Sequence, residues 1–534
     1  MRVFFVALAL LWCSGFSFGQ NPLLEPDFRQ SAEKFTALLY HLDQNYVDSV
    51  NTDKLVEDAI IHMLAELDPH SVYIPAEDVE KANEGLEGNF EGIGIQFNIV
   101  KDTITVVSPI SGGPSEKLGI MAGDKIIFIE DEPVAGVGIT NADVAKRLRG
   151  DKGTKVNVSI RRRGSRDNIA FEIIRDKIPI YSLDAAYMAS PKVGYIKLNR
   201  FSKTTMQEFH DAIHRLKMQG MEDLILDLQG NGGGLLNTSI ELADQFLKRG
   251  DLIVYTEGRN YPRRESRATA NGDFLEGRLV VLIDEGSASA SEIVSGAVQD
   301  WDRGLVIGRR SFGKGLVQRP IPLPDGSLVR LTTQKYYTPS GRCIQKPYSE
   351  GKQAYYMEKF ERFEKGELLT LDSLQMPDSL KYLTDRKRIV YGGGGILPDI
   401  FVPVDTTYNA KLNSDLIRKG VLNTFSITYT NNERKKLLRN YPDVETFIEQ
   451  FDVSDAIVEL KKFAAAEEID WDEEDYKKAS TMIDARLKAM IARNLWDISA
   501  YFQVFNPYWK SYQKAMDVLE KNTYGTYNLA KTEF

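Results

Sequence analysis

Two short, mainly apolar segments, each followed by a glycine-containing loop, constrain the fold of this chain more than any other feature. Residues 224–228 run into the loop Asn231–Gly234, and residues 279–283 run into the loop Asp284–Gly286. Apolar runs of this length that end near glycine are typical of buried strands. Since strand and helix patterns alternate from 178 to 402, we expect an α/β domain there, with functional residues in the loops that follow its strands.

A serine and a lysine near such loops are the main candidates for catalysis. Ser289 lies just after the second loop, and Lys314 lies between Gly313 and Gly315. A serine hydroxyl is a weak nucleophile that needs an adjacent base, and a lysine amine can fill that role. The ordinary pKa of lysine is about 10.4, and burial favours the neutral amine. We therefore predict that Lys314 is buried and that Gln318 aims its amine; the alternative is a solvated lysine in a glycine turn.

Acyl transfer also needs hydrogen-bond donors that face the developing oxyanion. The amide of Ala290, directly after the serine, is one candidate, and the amide of Gly232 or Gly233 is the other. Apolar spacing over residues 293–298 predicts a buried helix whose N-terminus adds positive potential at this point. The alternative for the glycine run is a flexible turn without a chemical role.

Several segments resemble those of the carboxy-terminal processing (tail-specific) serine proteases and occur in the same order along the chain. They are Leu226–Gly234, Gly286–Glu292, Ser311–Gly315 with Gln318, Tyr337–Arg342 and Gly394–Asp399. The resemblance implies Ser289 as nucleophile, Lys314 as general base and Gln318 as the residue that orients the base. It also implies a crotonase-like spiral for part of the domain, and a reaction without metal or organic cofactor. One departure is Gln229, where many members of the family carry arginine.

Residues 89–177 change to alternating strand patterns, and the segment 119–127 resembles the signature of PDZ domains. Such a domain adds a peptide strand to the edge of its sheet and holds the terminal carboxylate in a nest of backbone amides. The alternative is ordinary core packing without a binding role. The residues that we expect to bind a peptide tail are Gly92, Ile93, Gly94 and Ile95 in the carboxylate loop, and Val144 and Leu148 in the side-chain pocket.

At 534 residues the chain is too long for one core, and its patterns predict a multidomain protein of mixed α+β and α/β class. His70, beside Pro69, is expected to serve a turn or packing role. The predicted regions are a signal peptide at 1–19, an N-terminal helical region at 20–88, a PDZ domain at 89–177, a protease domain at 178–402 with an insertion at 347–390, and a helical domain at 403–534.

The N-terminus predicts export through the Sec pathway to the periplasm. Arg2 precedes an apolar stretch too short to span a bilayer, and small residues precede Gln20. A lipoprotein anchor at Cys13 is not expected, because Trp12 is a poor fit to the small residue required there. The rest of the sequence predicts no transmembrane segment. Its net charge of −9 argues against nonspecific binding to nucleic acid.

Together these features predict an exported serine endopeptidase that cleaves proteins near their C-termini, with tail-bearing proteins or peptides as substrates. An adaptor or activator protein and an oligomeric state remain open. One alternative is a catalytically silent PDZ-bearing adaptor on the same scaffold. Another is an acyl-CoA enzyme that shares the spiral fold, which the signal peptide and the PDZ pattern disfavour.

Overall fold

The computed structural model describes residues 26–269, 271–370, 376–521, 523–527 and 529. The predicted signal peptide lies outside these described residues. The chain divides into two compact units, residues 1–66 and 67–534. In the first unit, helix α1 spans Pro26–Asn45 and helix α2 spans Thr52–Ala65. The Asn51 side chain accepts a hydrogen bond from the Lys54 N–H and so caps α2.

The second unit begins with a strand that the sequence pattern did not reveal. Strand β1 spans Val72–Ile74, and helix α3 spans Val79–Glu87. β1 pairs antiparallel with a strand at residues 328–337. The region predicted as helical over 20–88 therefore also contributes a strand to a sheet whose other members come from far along the chain.

The next part of the chain forms a small β-domain. Its elements are β2 Asn89–Gly92, β3 Ile95–Ile99, β4 Ile104–Pro109, α4 Pro114–Lys117, β5 Lys125–Ile129, β6 Glu132–Pro133, α5 Asn141–Leu148, β7 Lys155–Arg161, β8 Ile169–Ile174 and β9 Asp176–Pro179. The main sheet has the order β3-β4-β5-β7-β8, with β6 paired to β5, and β2 pairs separately with β9. β3 therefore lies at an edge of the main sheet.

The following part contains alternating strands and helices. Its elements are β10 Leu183–Met188, β11 Val193–Leu198, α6 Thr205–Met218, β12 Asp223–Asp227, α7 Leu236–Asp244, β13 Leu252–Gly258, β14 Tyr261–Arg267, β15 Leu279–Ile283, α8 Ala290–Asp300, β16 Leu305–Gly308, β17 Leu316–Pro322 and β18 Leu328–Tyr337. Four parallel neighbours, β11, β12, β15 and β16, form the centre of a six-stranded sheet. All residues of β15 are buried, as expected for a strand covered on both faces.

The predicted insertion at 347–390 contains a helix and part of a hairpin. Helix α9 spans Gly351–Glu364, and strands β19, Lys381–Leu383, and β20, Ile389–Tyr391, pair antiparallel. The chain then adds β21, Ile400–Phe401, to the free side of β16. A second sheet combines β13, β14, β17 and β18 with β1.

Most of the remaining helices pack in a core of their own, and the last two of them cover one face of the six-stranded sheet. They are α10 Lys411–Arg418, α11 Val421–Asn440, α12 Val444–Gln450, α13 Ser454–Ala466, α14 Glu473–Leu495, α15 Ile498–Phe505 and α16 Lys510–Glu520. Tyr512 and Ala515 of α16 pack against Ile225 and Val280, whereas α6, α7 and α8 pack on the opposite face. No helix within the described residues has the length and apolar character that crossing a membrane requires.

Candidate active site

Three loops meet where parallel strands of the six-stranded sheet end. The loop after β12 contains Gly232 and Gly233, the loop after β15 carries Ser289, and the loop after β16 carries Lys314. Neighbouring parallel strands place their carboxyl ends at the same edge, which is where α/β sheets usually bind ligands. The sequence-predicted residues of the site are thus brought to one edge of the sheet.

The backbone at Ser289 adopts an unusual conformation. Its φ is +56° and its ψ is −111°, and it directly precedes helix α8. A non-glycine residue in such a region costs about 1–3 kcal/mol and is often found at functional sites. The side chain is partly exposed, so that a substrate can reach it. The strand-to-helix turn therefore presents Ser289 at the surface of the sheet edge.

The carboxylate of Glu292 joins the serine loop to the lysine loop. Its Oε2 accepts hydrogen bonds from the backbone N–H groups of Ser289 at 2.7 Å and Lys314 at 2.9 Å. Its Oε1 accepts from the Ser311 hydroxyl at 2.5 Å and the Gly313 N–H at 2.7 Å. Burial raises the pKa of Glu292, while these hydrogen bonds act to lower it. The two loops therefore share one buried acceptor.

A tyrosine makes a second connection between the same loops. The hydroxyl of Tyr336 lies 3.0 Å from the carbonyl oxygen of Ser289 and 2.7 Å from that of Lys314. The sequence analysis did not single out Tyr336 or Glu292. The sequence did contain a signal for Glu292. Ser289 precedes the predicted helix and Glu292 follows three residues later, which is the capping-box pattern.

Lys314 is directed by Gln318 in this structure. Its Nζ donates to Gln318 Oε1 at 3.0 Å, and Gln318 Nε2 donates to the carbonyl oxygen of His70. Burial lowers the pKa of the Lys314 amine, while the negative charges of Glu292 and Asp68 act in the opposite direction. Within the described residues, Lys314 Nζ and Ser289 Oγ are not hydrogen-bonded to each other.

The turn that contains His70 is held by Asp68. Asp68 Oδ1 accepts from the N–H groups of His70 at 2.7 Å and Ser71 at 2.8 Å. Nε2 of His70 lies 2.9 Å from the Tyr355 hydroxyl of helix α9. Burial and the nearby charge of Lys314 lower the pKa of His70 to about 4. His70 thus contributes its backbone carbonyl, which fixes the amide of Gln318, and a buried neutral ring.

The glycine loop approaches the serine very closely. A Cβ placed on Gly233 would lie 2.9 Å from Ser289 Cβ and 2.8 Å from the carbonyl oxygen of Ala288, and its φ is +101°. Only glycine fits this position. The Gly233 N–H donates to Asn231 Oδ1 at 2.9 Å. In the described part of the chain, the Gly232 N–H has no hydrogen-bond acceptor. Ala290 is the first residue of helix α8, and the first N–H groups of a helix have no acceptor within that helix.

The candidate peptide-binding residues lie where β3 meets helix α5. The carbonyl oxygen of Ile93 accepts from the N–H and the hydroxyl of Ser115, and the backbone of Gly94 has a φ of +74°. Val144 and Leu148 are 0% and 4% exposed and pack inside the domain core. Both side chains therefore belong to the domain core in this structure, and β3 lies at the edge of the main sheet.

Gln229 connects the sheet edge to the C-terminal helices. Its Nε2 donates to the Ser511 hydroxyl at 3.3 Å, and its Oε1 accepts from the Trp509 indole at 3.2 Å. The buried Lys197 donates to Asp227 at 3.0 Å and to the Gln229 carbonyl oxygen. The residue that departs from the family pattern is thus used as a contact between two parts of the chain.

Comparisons with known proteins agree with this architecture. A family model described as Peptidase family S41 matches residues 192–351, a PDZ domain model matches 92–173, and a model of a family of unknown function matches 412–497. The predicted combination of a PDZ domain, a protease domain and a C-terminal helical region is confirmed.

Curated relatives of this chain are named carboxy-terminal processing proteases. A carboxy-terminal-processing protease of Bartonella bacilliformis is 36% identical over 350 residues, which cover 64% of this chain and 80% of the relative. The carboxy-terminal processing protease CtpB of Bacillus subtilis is 36% identical over 311 residues, which cover 58% of this chain and 64% of the relative. Among solved structures, a photosystem II D1 C-terminal processing protease is 26% identical, with 70% of this chain and 93% of that chain covered and a TM-score of 0.36.

Proposed function

The chain belongs to peptidase family S41 as a serine-type carboxy-terminal processing protease with a PDZ domain, and on that premise we propose that Ser289 and Lys314 form its catalytic dyad. The observation that carries this assignment is the shared acceptor Glu292, which holds the backbones of both residues. Two residues from separate loops are thereby kept at a fixed spacing. Such positioning is a main source of rate enhancement.

In the proposed reaction, the neutral amine of Lys314 takes the hydroxyl proton of Ser289 while Oγ attacks the scissile carbonyl carbon. Collapse of the tetrahedral intermediate breaks the C–N bond, and the Lys314 ammonium returns the proton to the leaving amine. The neutral Lys314 amine then takes a proton from a water molecule whose oxygen attacks the carbonyl carbon of the acyl-enzyme. Collapse of this second tetrahedral intermediate breaks the bond between that carbon and Oγ, and the Lys314 ammonium returns the proton to Oγ, which releases the acid product and restores Ser289. The burial that lowers the Lys314 pKa favours the neutral amine that the first step needs.

The Lys314 amine must turn from Gln318 toward Ser289 when a substrate binds. Catalytic hydrogen bonds are often long or absent before the substrate is present. Gln318 sets the position from which the amine turns, because its Nε2 is held by the carbonyl oxygen of His70 and its Oε1 therefore faces the amine. Gln318 is in this proposal a positioning residue for the base.

The proposed oxyanion donors are the Ala290 N–H and the glycine turn at Gly232 and Gly233. Ala290 begins helix α8, so its N–H is free of intrahelical partners and lies at the positive end of the helix. The Gly233 N–H donates to Asn231 in this structure and would have to share its hydrogen with the oxyanion. The Gly232 N–H is the alternative second donor.

We further propose that the PDZ domain captures C-terminal tails of substrate proteins along the free edge of β3. The amides near Gly92–Ile95 would receive the carboxylate, as in strand-addition recognition. Val144 and Leu148 of helix α5, which are 0% and 4% exposed in the domain core, would form the base of the pocket for the last side chain of the tail.

The export of the protein is proposed on the sequence alone, with cleavage of the signal peptide after Gly19 and a periplasmic mature chain. N-terminal sequencing of the protein from the native organism would test this step. A mature chain that begins at Gln20 supports it, and a chain that retains residues 1–19 contradicts it.

The central experiment compares the chain from Gln20 with its Ser289→Ala and Lys314→Ala variants on an unfolded protein that has an apolar C-terminus. The exposed Lys335 on the adjacent β18 offers a matched control, Lys335→Ala. We expect cleavage by the parent and the control, and none by the two site variants, which should still bind the tail. Turnover by Ser289→Ala would overturn the dyad. Tail binding by an inactive parent would instead favour a catalytically silent adaptor.

A further inference from the structure

Helix α9 of the insertion contacts the segment Ser311–Lys314, which we call the base loop. The helix begins at residue 351, where the match to the peptidase family model ends. Arg362 of α9 is only 3% exposed, and its Nη1 donates to the carbonyl oxygen of Ser311 at 2.8 Å. Its Nη2 donates to the carbonyl oxygen of Phe312 at 3.3 Å. One guanidinium of the insertion thus holds two consecutive carbonyl groups just before Lys314.

The Arg362 guanidinium is itself fixed by Glu358, one helical turn earlier. Its Nε donates to Glu358 Oε1 at 2.6 Å, and Glu358 Oε2 accepts from Lys346 Nζ at 2.8 Å. The Lys346 ammonium also lies 4.1 Å from the ring centre of Phe312 and 4.2 Å from that of Tyr355. Charge-assisted hydrogen bonds of this kind add geometric specificity, so the guanidinium is presented to the base loop in one orientation.

The same helix also contacts the turn that holds Gln318. The Tyr355 hydroxyl lies 2.9 Å from Nε2 of His70, and the Tyr356 hydroxyl donates to the carbonyl oxygen of Pro69 at 3.2 Å. The carbonyl oxygen of His70 accepts from Gln318 Nε2. The Gln318 amide, whose oxygen faces the lysine amine, is therefore held by a turn that α9 holds in its place.

We propose that α9 positions the base from two sides, with Arg362 and Tyr355 as positioning residues. Arg362 fixes the base loop, and Tyr355 fixes the His70 turn and through it Gln318. This inference rests on the proposed function, since it assigns these contacts to the alignment of Lys314 as the base. The insertion thereby serves the alignment of the base, a role that its sequence pattern did not indicate.

Tyr355→Phe tests the contact with the His70 turn, because it removes the hydroxyl and keeps the aromatic ring. A loosened Gln318 leaves the Lys314 ammonium with a weaker acceptor, which lowers the pKa of that lysine. The rise of kcat/KM with pH should therefore move to lower pH by about 0.5–1 unit, and kcat should fall about 3- to 10-fold. The substitution leaves unchanged the charged side chains that act on this lysine, which are Glu292, Asp68 and Arg330.

Arg362→Lys keeps the positive charge beside Glu358 but lacks the planar pair of donors that two carbonyl groups require. We expect kcat to fall about 10-fold, with KM within about 2-fold of wild type. The matched controls are Tyr508→Phe and Arg418→Lys, which change exposed side chains of the C-terminal helical region and should keep wild-type kinetics. An unchanged pH profile in Tyr355→Phe would overturn the role of Tyr355. A wild-type kcat in Arg362→Lys would overturn that of Arg362.

Crystal structures of the two variants test the positioning without catalysis, and so separate this inference from the proposed dyad. Lys314 Nζ and Gln318 Oε1 are 3.0 Å apart in the wild-type chain. We expect this contact to lengthen in Tyr355→Phe and the base loop to shift in Arg362→Lys. Unchanged positions would overturn the inference even if Ser289→Ala is inactive, whereas turnover by Ser289→Ala would overturn the dyad and leave the observed shifts standing. If Arg362→Lys does not fold, Tyr355→Phe decides the matter.

Discussion

The backbone N–H groups of Ser289 and Lys314 donate to the same carboxylate oxygen, Oε2 of Glu292, at 2.7 and 2.9 Å. The proposed nucleophile and base lie on loops after different strands, so the sheet alone does not fix their relative position. The fully buried Glu292 does so, because its side chain can satisfy both amides only when the loops are correctly placed. The geometry of the proposed dyad should therefore depend on this residue.

Glu292→Gln should reduce kcat by about 100-fold or more, with a much smaller change in KM. An amide has one oxygen, so its NH₂ group would face at least one of the donors that now contact the carboxylate. The variant should also lower the free energy of unfolding by about 3 kcal/mol, as expected for the loss of a buried hydrogen-bonded charge. Steady-state kinetics and urea unfolding measure the two effects.

The exposed Glu241 on the neighbouring helix α7 provides the control for this prediction. Glu241→Gln should retain wild-type kinetics and stability, since surface substitutions rarely matter. A kcat for Glu292→Gln within a few-fold of that of Glu241→Gln would show that the shared acceptor does not position the dyad.

The pH profile of kcat/KM should report the lowered pKa of Lys314. Only the neutral amine accepts the serine proton, so the rate should rise with pH through the lysine pKa and then level off. Since burial lowers that pKa, the rise should lie below the value of about 10.4 for free lysine. Lys314→Arg should be inactive at every pH, because arginine does not lose its proton.

Gln318→Glu provides a more specific test of the same profile. Gln318 Oε1 lies 3.0 Å from Lys314 Nζ, so a carboxylate there would stabilise the ammonium and raise the lysine pKa. The rise in rate should move upward by about 1–2 pH units. If kcat/KM rises at the same pH in Gln318→Glu as in wild type, a group other than Lys314 controls the rate.

The candidate residues that the sequence analysis singled out lie within short continuous patterns. Ser289, Lys314 and Gln318 lie in compact segments after strands, and the buried strands themselves are visible as apolar runs. The supporting contacts come from distant segments: Gln318 contacts His70, 248 residues away. No local pattern reports such a pairing, and the three-residue strand β1 is too short to show a period.

The degree to which two helix α5 side chains of the PDZ domain are buried could not be predicted for a related reason. The apolar spacing of Val144 and Leu148 is the same whether these side chains fill the domain core or line a groove. Their exposure of 0% and 4% depends on how closely α5 packs against the strands. Sequence periodicity identifies the apolar face of a helix but not the distance to its neighbour.

His70 should make the wild-type protein lose stability as the pH falls. Burial lowers its pKa from about 6.5 to about 4, so between these values the unfolded chain binds a proton that the folded chain does not. The free energy of unfolding should fall through this window. His70→Gln removes the titration, so wild type should lose about 2 kcal/mol more than the variant between pH 7.5 and 4.5. Parallel curves would show that the folded protein accepts the proton.

Gln229→Arg restores the residue that many family members carry, yet it should destabilise this chain. Lys197 already pairs with Asp227 and donates to the Gln229 carbonyl oxygen, so an arginine would bury a second cation beside it and displace contacts to Trp509. We expect the free energy of unfolding to fall by about 2–4 kcal/mol. Adding Lys197→Met should recover part of this loss, because one cation then faces Asp227. Strictly additive effects in this double-mutant cycle would contradict the expected repulsion between the cations at positions 197 and 229.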